Sequence, residues 1–427
     1  MTSVVFNKKL EDLLAVAQRD NTASREIHFP QAPTHMEVKS PLMEVVDYII
    51  EDALGRGASD IHVEPGETMG RLRYRIDGIL ETMIPPIPME LYGNIISRLK
   101  IMCRLNIAEY RLPQDGRFSY EYFGKKIDVR VSIVPLINGE KAVLRLLNRA
   151  ERFISIDGLD LTAKNKEQLI ELCHRSGGAV IIAGPVNSGK TTTLYGVLDL
   201  LNNSQKNIIT LEDPVEYQLK GINQLQINTK IKLDFSDALK ATLRQDYDVL
   251  AVGEVRSSEV ADLLVRASLA GHLVLATIHT SSAAKVIYRM LEMGIKPYLL
   301  GIAIKGIVAQ RLLPRLCPDC CSTYLVEPDS PVARFLGEEF RPGMQLYHRQ
   351  GCDKCNGKGV KGRIALHEIL VIDEKIQECI TNRCSLAELE QAINEKGMIS
   401  IKQDGIAKAL AGLVEIEAVM EIDDISI

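Results

Sequence analysis

The segment Gly184-Pro185-Val186-Asn187-Ser188-Gly189-Lys190-Thr191 constrains this chain more than any other stretch. It fits the pattern G-x-x-x-x-G-K-[ST], and its flanks give the pattern its force. The apolar run Ala179-Val180-Ile181-Ile182-Ala183 before it reads as a buried strand, and Thr192 to Leu201 after it reads as a helix. A strand, a glycine turn and a helix in that order point backbone N–H groups inward around an anion, and the helix N-terminus adds positive potential. Gly184, Asn187, Ser188, Gly189 and Thr192 are the expected cradle. Lys190 would neutralise the β- and γ-phosphates, and the Thr191 hydroxyl would ligate Mg²⁺. ATP and Mg²⁺ are therefore the expected ligands.

The downstream pattern supplies the rest of such a site. Ile208 to Leu211, Val249 to Val252 and Leu273 to Ile278 are short apolar strands with helical stretches between them, for example Val260, Leu263, Leu264 and Ala267. That alternation predicts an α/β fold built on a parallel sheet. Ligand sites in parallel sheets form at the carboxyl ends of strands. Glu212 follows one strand and Glu254 another, so both would face the nucleotide. One carboxylate is needed near the magnesium and one to orient water. His272 and His279 bracket the strand Leu273 to Ile278, at opposite ends, so both cannot touch one phosphate.

The upstream part reads differently. Residues 1–40 contain Pro30 and Pro33 and read as a short helix and a loose linker. Ser40-Pro41 opens a helix whose buried face is Leu42, Val45, Val46, Ile49, Ile50, Ala53 and Leu54, and Gly55 and Gly57 end it. Strands fit Asp60 to Glu64, Arg71 to Ile76, Ile127 to Val134 and Ala142 to Leu147, with two helical segments around residues 90–106. This predicts a small α+β domain over 41–148. A linker around Asn148 to Gly158 leads into a nucleotide-binding domain over 149–427, which carries a Cys-, Gly- and Pro-rich insert at 315–365.

Composition narrows the function. The 427 residues carry 51 Lys and Arg against 56 Asp and Glu, a net charge of −5, and no Trp. That balance argues against a generally basic nucleic-acid binder, so no direct nucleic acid is expected. No apolar run reaches the roughly 18–20 residues of a membrane helix. The best candidate, Tyr298 to Leu313, is broken by Lys305, Gln310 and Arg311, and the start carries Lys8, Lys9, Glu11 and Asp12 in place of a signal core. The expectation is a cytoplasmic protein that meets any membrane through partners.

The nine cysteines are an odd number, and disulfides are not expected in a reducing compartment. Cys317-x-x-Cys320 and Cys352-x-x-Cys355 are two knuckles that can each place two thiolates on one tetrahedral Zn²⁺. Cys103, Cys173, Cys321, Cys379 and Cys384 are left as packing or surface thiols.

Taken in order, the motifs resemble the secretion and type IV pilus assembly ATPases, from about residue 41 to the C-terminus. Arg56-Gly57-Ala58-Ser59-Asp60-Ile61-His62-Val63-Glu64-Pro65, Tyr74-Arg75-Ile76-Asp77-Gly78 and Arg111-Leu112-Pro113-Gln114-Asp115-Gly116-Arg117 resemble the motifs of that family's first domain. Ile209 to Tyr217 is similar to its aspartate box, Val252-Gly253-Glu254-Val255-Arg256 to its Walker B segment, and Gly271 to Thr280 to its histidine box.

The resemblance implies a RecA-like ATPase domain behind a PAS-like domain, working as a homohexamer. Its partners would be a polytopic inner-membrane platform protein and docking proteins at the membrane periphery. Glu212 would orient the attacking water, and Glu254 would act at the magnesium through water. His272 and His279 would couple the γ-phosphate to the subunit interface, and Arg130 and Arg145 would close over the nucleotide from the first domain. The tetracysteine unit would hold Zn²⁺, as in the secretion and extension members.

The chain departs from the family at Val186-Asn187, where Thr-Gly is usual, and at Tyr247 and Ser257. Asn tolerates a left-handed backbone better than other non-glycine residues, so the loop can still form. Residues 1–40 are too short for the extra N-terminal domain many relatives carry. Read without the resemblance, the residues also admit a RecA-like nucleic-acid translocase or a non-hydrolysing nucleotide-binding scaffold.

Overall fold

The structure, a computed structural model, describes residues 2–23, 40–147 and 155–426. The stretches 24–39 and 148–154, which hold most of both expected linkers, lie outside the described residues. The chain divides into two compact units, Met1–Arg152 and Phe153–Ile427.

The first unit runs α1 (Thr2–Ala23), α2 (Pro41–Gly55), β1 (Ala58–Glu64), β2 (Met69–Ile76), β3 (Ile79–Pro88), α3 (Met89–Met102), β4 (Gln114–Tyr122), β5 (Lys125–Leu136) and β6 (Gly139–Leu147). Its strands form one antiparallel sheet in the order β3-β2-β1-β6-β5-β4. The period-two pattern puts Ile61, Val63, Leu72, Tyr74, Val129 and Val131 on the face that packs in one core with Val46, Ile50, Ile95 and Leu99 of the helices. The opposite face is polar. Across it Arg75, Asp60, Arg145, Arg130 and Arg117 stand directly opposite one another on five adjacent strands.

Three expectations need correction in this unit. Residues 90–106 hold one helix, α3, which stops at Met102 before Arg104 turns to φ +58°. The N-terminal helix is 22 residues long. Leu10, Leu14 and Ala17, spaced to share one helix face, are buried in the same core as α2. Strands β3 and β4 lay outside the expected set.

The second unit starts with α4 (Ala163–Cys173), β7 (Gly178–Ala183), α5 (Lys190–Leu201), β8 (Ile208–Glu212), β9 (Asn223–Gln226), α6 (Phe235–Thr242) and β10 (Val249–Val252). It continues with α7 (Ser258–Leu269), β11 (Leu273–Ile278), α8 (Ala283–Glu292), α9 (Pro297–Ala303), β12 (Ile304–Leu316), β13 (Ser322–Leu325), α10 (Pro331–Leu336) and β14 (Gln345–His348). It ends with β15 (Val360–Val371), α11 (Glu374–Thr381), α12 (Leu386–Glu395), α13 (Ile401–Leu410) and α14 (Ile416–Ser426).

Seven strands make the main sheet, in the order β15-β12-β7-β11-β10-β8-β9. Every residue of β7, β8, β10 and β11 is buried, as in a parallel sheet covered on both faces. The sheet is mixed, however, because β15 runs antiparallel to β12 at one edge. The run Tyr298 to Leu313 resolves into all but the first residue of α9 and most of β12. Among the described residues no helix is long and apolar enough to cross a membrane.

One cysteine expectation is also overturned. Cys379 and Cys384 form a disulfide, with Cα atoms 5.2 Å apart. The chain turns back after α11 through Arg383 at φ +55°, so that the Cys384 N–H donates to the Cys379 carbonyl at 3.0 Å.

Candidate functional site

The phosphate loop leaves the carboxyl end of β7 and enters α5 at Lys190. Asn187 takes the left-handed conformation at φ +64°, where the short amide side chain is tolerated. Gly184 is needed for close approach: a Cβ there would lie 2.3 Å from Ser188 Oγ and 2.7 Å from the Gln310 carbonyl. Thr191 is exposed and Thr192 half-buried in the first turn of α5, while Ser188 is buried.

Lys190 folds back over the loop. Its ammonium donates to the carbonyls of Gly184 at 2.9 Å and Pro185 at 2.8 Å, and meets His279 Nδ1 at 3.2 Å. Burial pushes Lys190 down to about 8, with Glu254 opposing that shift and Arg311 adding to it.

The neighbouring strand ends complete a chain of contacts. Val252 ends β10, and Gly253 and Glu254 follow it; Ile278 ends β11, and His279 follows it. Glu254 Oε1 lies 2.8 Å from His279 Nε2, and its Oε2 accepts from Arg256 Nε at 2.7 Å. An ammonium has donors only, so Nδ1 of His279 accepts from Lys190. Nε2 then carries the proton and donates to Glu254. Lys190, His279 and Glu254 are thus joined in one line from the loop to the carboxylate.

Glu212, the last residue of β8, is 3% exposed. Tyr195, Thr210 and Gln224 all donate to its carboxylate. His272 is not part of this group. It precedes β11 while His279 follows it, and six strand residues span roughly 20 Å. Its ring instead packs on Tyr247, with centroids 4.3 Å apart. In the first unit Arg145 pairs with Asp60 at 3.0 Å, and Arg130 stands opposite it on β5.

Two further groups line the loop that the sequence reading passed over. Gln310 Nε2 donates to the Ser188 carbonyl at 2.6 Å. Buried Arg311 donates to the Ser281 carbonyl at 2.5 Å and the Gln310 carbonyl at 3.0 Å. Both sit on β12 beside β7. Their sequence signal is a polar pair inside the apolar run Tyr298 to Leu313.

The four knuckle cysteines converge, with all their sulfurs within 4.8 Å of one another. The distances are 4.0 Å for Cys317–Cys352, 3.7 Å for Cys320–Cys355 and 3.7 Å for Cys352–Cys355. A tetrahedral Zn²⁺ with Zn–S bonds of about 2.3 Å sets its sulfurs about 3.8 Å apart, so the cluster fits that ion. Backbone N–H groups of Cys352 and Gly359 point at Cys355 Sγ at 3.1 and 3.2 Å, as donors to a thiolate do. Lys354 and Asp319 pair across the two knuckles. Cys321 is outside the cluster.

Residues 35–421 match the family model described as Type II/IV secretion system protein. The chain is 42% identical over 386 residues to type II secretion system protein E of Dickeya dadantii, covering 90% of this chain and 76% of that one. It is 40% identical over 428 residues to the type IV pilus assembly ATPase PilB of Thermus thermophilus, covering 98% of this chain and 48% of that one. The solved structure of the pilus retraction motor PilT with bound ADP is similar at a TM-score of 0.60 and 27% identity, over 88% of this chain and 96% of that one.

Proposed function

This chain belongs to the Type II/IV secretion system protein family and is an ATP-hydrolysing enzyme, and from that premise we propose what its hydrolysis does. ATP turnover drives a homohexameric motor with a RecA-like core and a PAS-like first unit. The motor works a polytopic platform protein of the inner membrane, adding subunits to a type IV pilus or a type II secretion pseudopilus. The enzyme is cytoplasmic and meets the membrane through that platform and its docking proteins.

The observation that carries the reading is the convergence of the phosphate loop, Glu212, Glu254 and His279 at the carboxyl ends of adjacent strands. Lys190 exchanges the Gly184 and Pro185 carbonyls for phosphate oxygens. The amides of Asn187 to Thr192 hold the same oxygens. Glu212 orients the attacking water, and Arg130 and Arg145 supply positive charge to the transferring phosphoryl group. His279 loses its Lys190 contact at Nδ1 when phosphate draws the ammonium away and keeps its Nε2 contact with Glu254, so the Nδ1 contact registers whether a phosphate is present. Thr191 and Glu254 would hold Mg²⁺, which would supply positive charge to the phosphates. Zn²⁺ on Cys317, Cys320, Cys352 and Cys355 is structural.

Phosphate release and ADP affinity together test this. Glu212→Gln is expected to lose turnover and keep ADP binding, whereas Lys190→Ala is expected to lose both. A Glu212→Gln protein that releases phosphate at the wild-type rate would overturn the assignment.

A further inference from the structure

Glu212 is buried, and a buried carboxylate must find donors. It has three. Oε1 accepts from the Thr210 hydroxyl at 2.5 Å and from Gln224 Nε2 at 3.1 Å, and Oε2 accepts from the Tyr195 hydroxyl. The three donors differ in where they come from. Thr210 lies on β8 itself and moves with Glu212, and Gln224 lies on the adjacent strand β9. Tyr195 alone of the three comes from α5, the helix that begins at Lys190.

The tyrosine is built into this place. It is 1% exposed, and its ring meets that of Tyr217 edge-on with centroids 4.7 Å apart. Its hydroxyl oxygen accepts from the Glu216 backbone N–H at 3.3 Å, so the same group ties down the loop after β8. Burial and the adjacent Glu212 carboxylate push the phenol far above its ordinary value, so the hydroxyl stays a donor.

We propose that Tyr195 is the positioning residue for Glu212, fixing the carboxylate relative to the phosphates that the first turn of α5 grips. A rigid helix carries the phosphate loop at its first turn and this hydroxyl at its second. One element therefore carries both the grip on the phosphoryl group and the donor that holds Oε2 of the water-orienting carboxylate. This rests on the reading of Glu212 as the group that orients water. It gives the P-loop helix a second task that the loop motif does not announce.

The test is Tyr195→Phe, which keeps the ring and its contact with Tyr217 and removes only the hydroxyl. A carboxylate misplaced by about 1 Å costs about a hundredfold in turnover, so kcat is expected to fall between about tenfold and a hundredfold. KM for ATP is expected to stay within about twofold, because no phosphate contact is lost.

The same substitution is then made in the Glu212→Gln protein, followed by single-turnover kinetics with enzyme in excess so that slow rates are read. There it is expected to lower the residual rate by less than about twofold, since a positioning group has nothing left to position. An equal fold-loss in both backgrounds, or an unchanged kcat in Tyr195→Phe alone, overturns the proposal. Tyr217→Leu removes the ring partner and spares the hydroxyl, so its kcat is expected within about threefold of wild type. A loss as large as that of Tyr195→Phe would make packing the cause. A Glu212→Gln protein with wild-type turnover would instead remove the reading of Glu212 itself, whatever Tyr195→Phe does.

Discussion

Lys190 is expected to take up a proton when a nucleotide binds, and the amount can be worked out. In the structure Lys190 is 8% exposed, and its ammonium is satisfied by two loop carbonyls and a histidine nitrogen. Burial brings it from 10.5 to about 8. That drop corresponds to roughly 3 kcal/mol of preference for the neutral amine relative to water. A bound phosphate reverses it, because an adjacent anion favours the charged form. The unliganded enzyme has lost about 0.1 of the Lys190 proton at pH 7, about 0.5 at pH 8 and about 0.9 at pH 9, taking a pKa of about 8. Binding refills those fractions.

Calorimetric titration with ADP, in pairs of buffers that differ in ionisation enthalpy, reads the uptake directly. The terminal phosphate is ionised over most of this range, so it contributes little. Lys190→Arg should bind with no such pH-dependent uptake, since a guanidinium does not titrate here. Uptake that stays flat from pH 7 to 9 would refute the reasoning. The sign for stability is the same. The folded Lys190 loses its proton at lower pH than the unfolded chain does, so between about pH 8 and 10.5 the unfolded state binds more protons. The unliganded fold should gain stability from this group as pH rises through that window.

Other outcomes follow from single positions. Asn187→Val places a β-branched residue at φ +64°, which costs about 1–2 kcal/mol in the loop, and should weaken ADP binding while Asn187→Gly does not; equilibrium titration decides it. Elemental analysis of the purified full chain should read about one zinc per chain, and Cys352→Ser should read none and melt at a lower temperature. Leu10→Ala empties a fully buried site and should destabilise the first unit by about 2–5 kcal/mol in urea, whereas an unpacked α1 would make the change neutral.

The parts of the fold legible in the sequence were those carried by continuous local signals. Ala179 to Ala183, Ile208 to Leu211 and Leu273 to Ile278 are uninterrupted apolar runs, and the strands found there extend them by a residue at most. β3 was hidden by Pro85, Pro86 and Pro88, which a strand tolerates here because β3 is an edge. β4 was hidden by its half-exposed pattern and by Gly116, where a Cβ would lie 2.7 Å from that of Cys103. The antiparallel edge strand β15 depends on pairing with β12 across the whole tetracysteine excursion, and no local pattern encodes that register.

The site divides in the same way. The phosphate loop, Glu212, Glu254 and His279 are named by motifs and stand at adjacent strand ends, whereas their packing partners carry no motif. Tyr195 reads as an ordinary residue of the expected helix and Gln224 falls in no expected element, yet both donate to Glu212. His272 stands where the strand pattern put it, at the opposite end of β11 from His279, and its contact with Tyr247 carries no motif.

The central claim is that this phosphate loop hydrolyses ATP, and one measurement reaches it most directly. Steady-state phosphate release by the purified full chain with Mg²⁺ and ATP should be abolished by Lys190→Ala. Equal release from wild type and from Lys190→Ala would contradict the account.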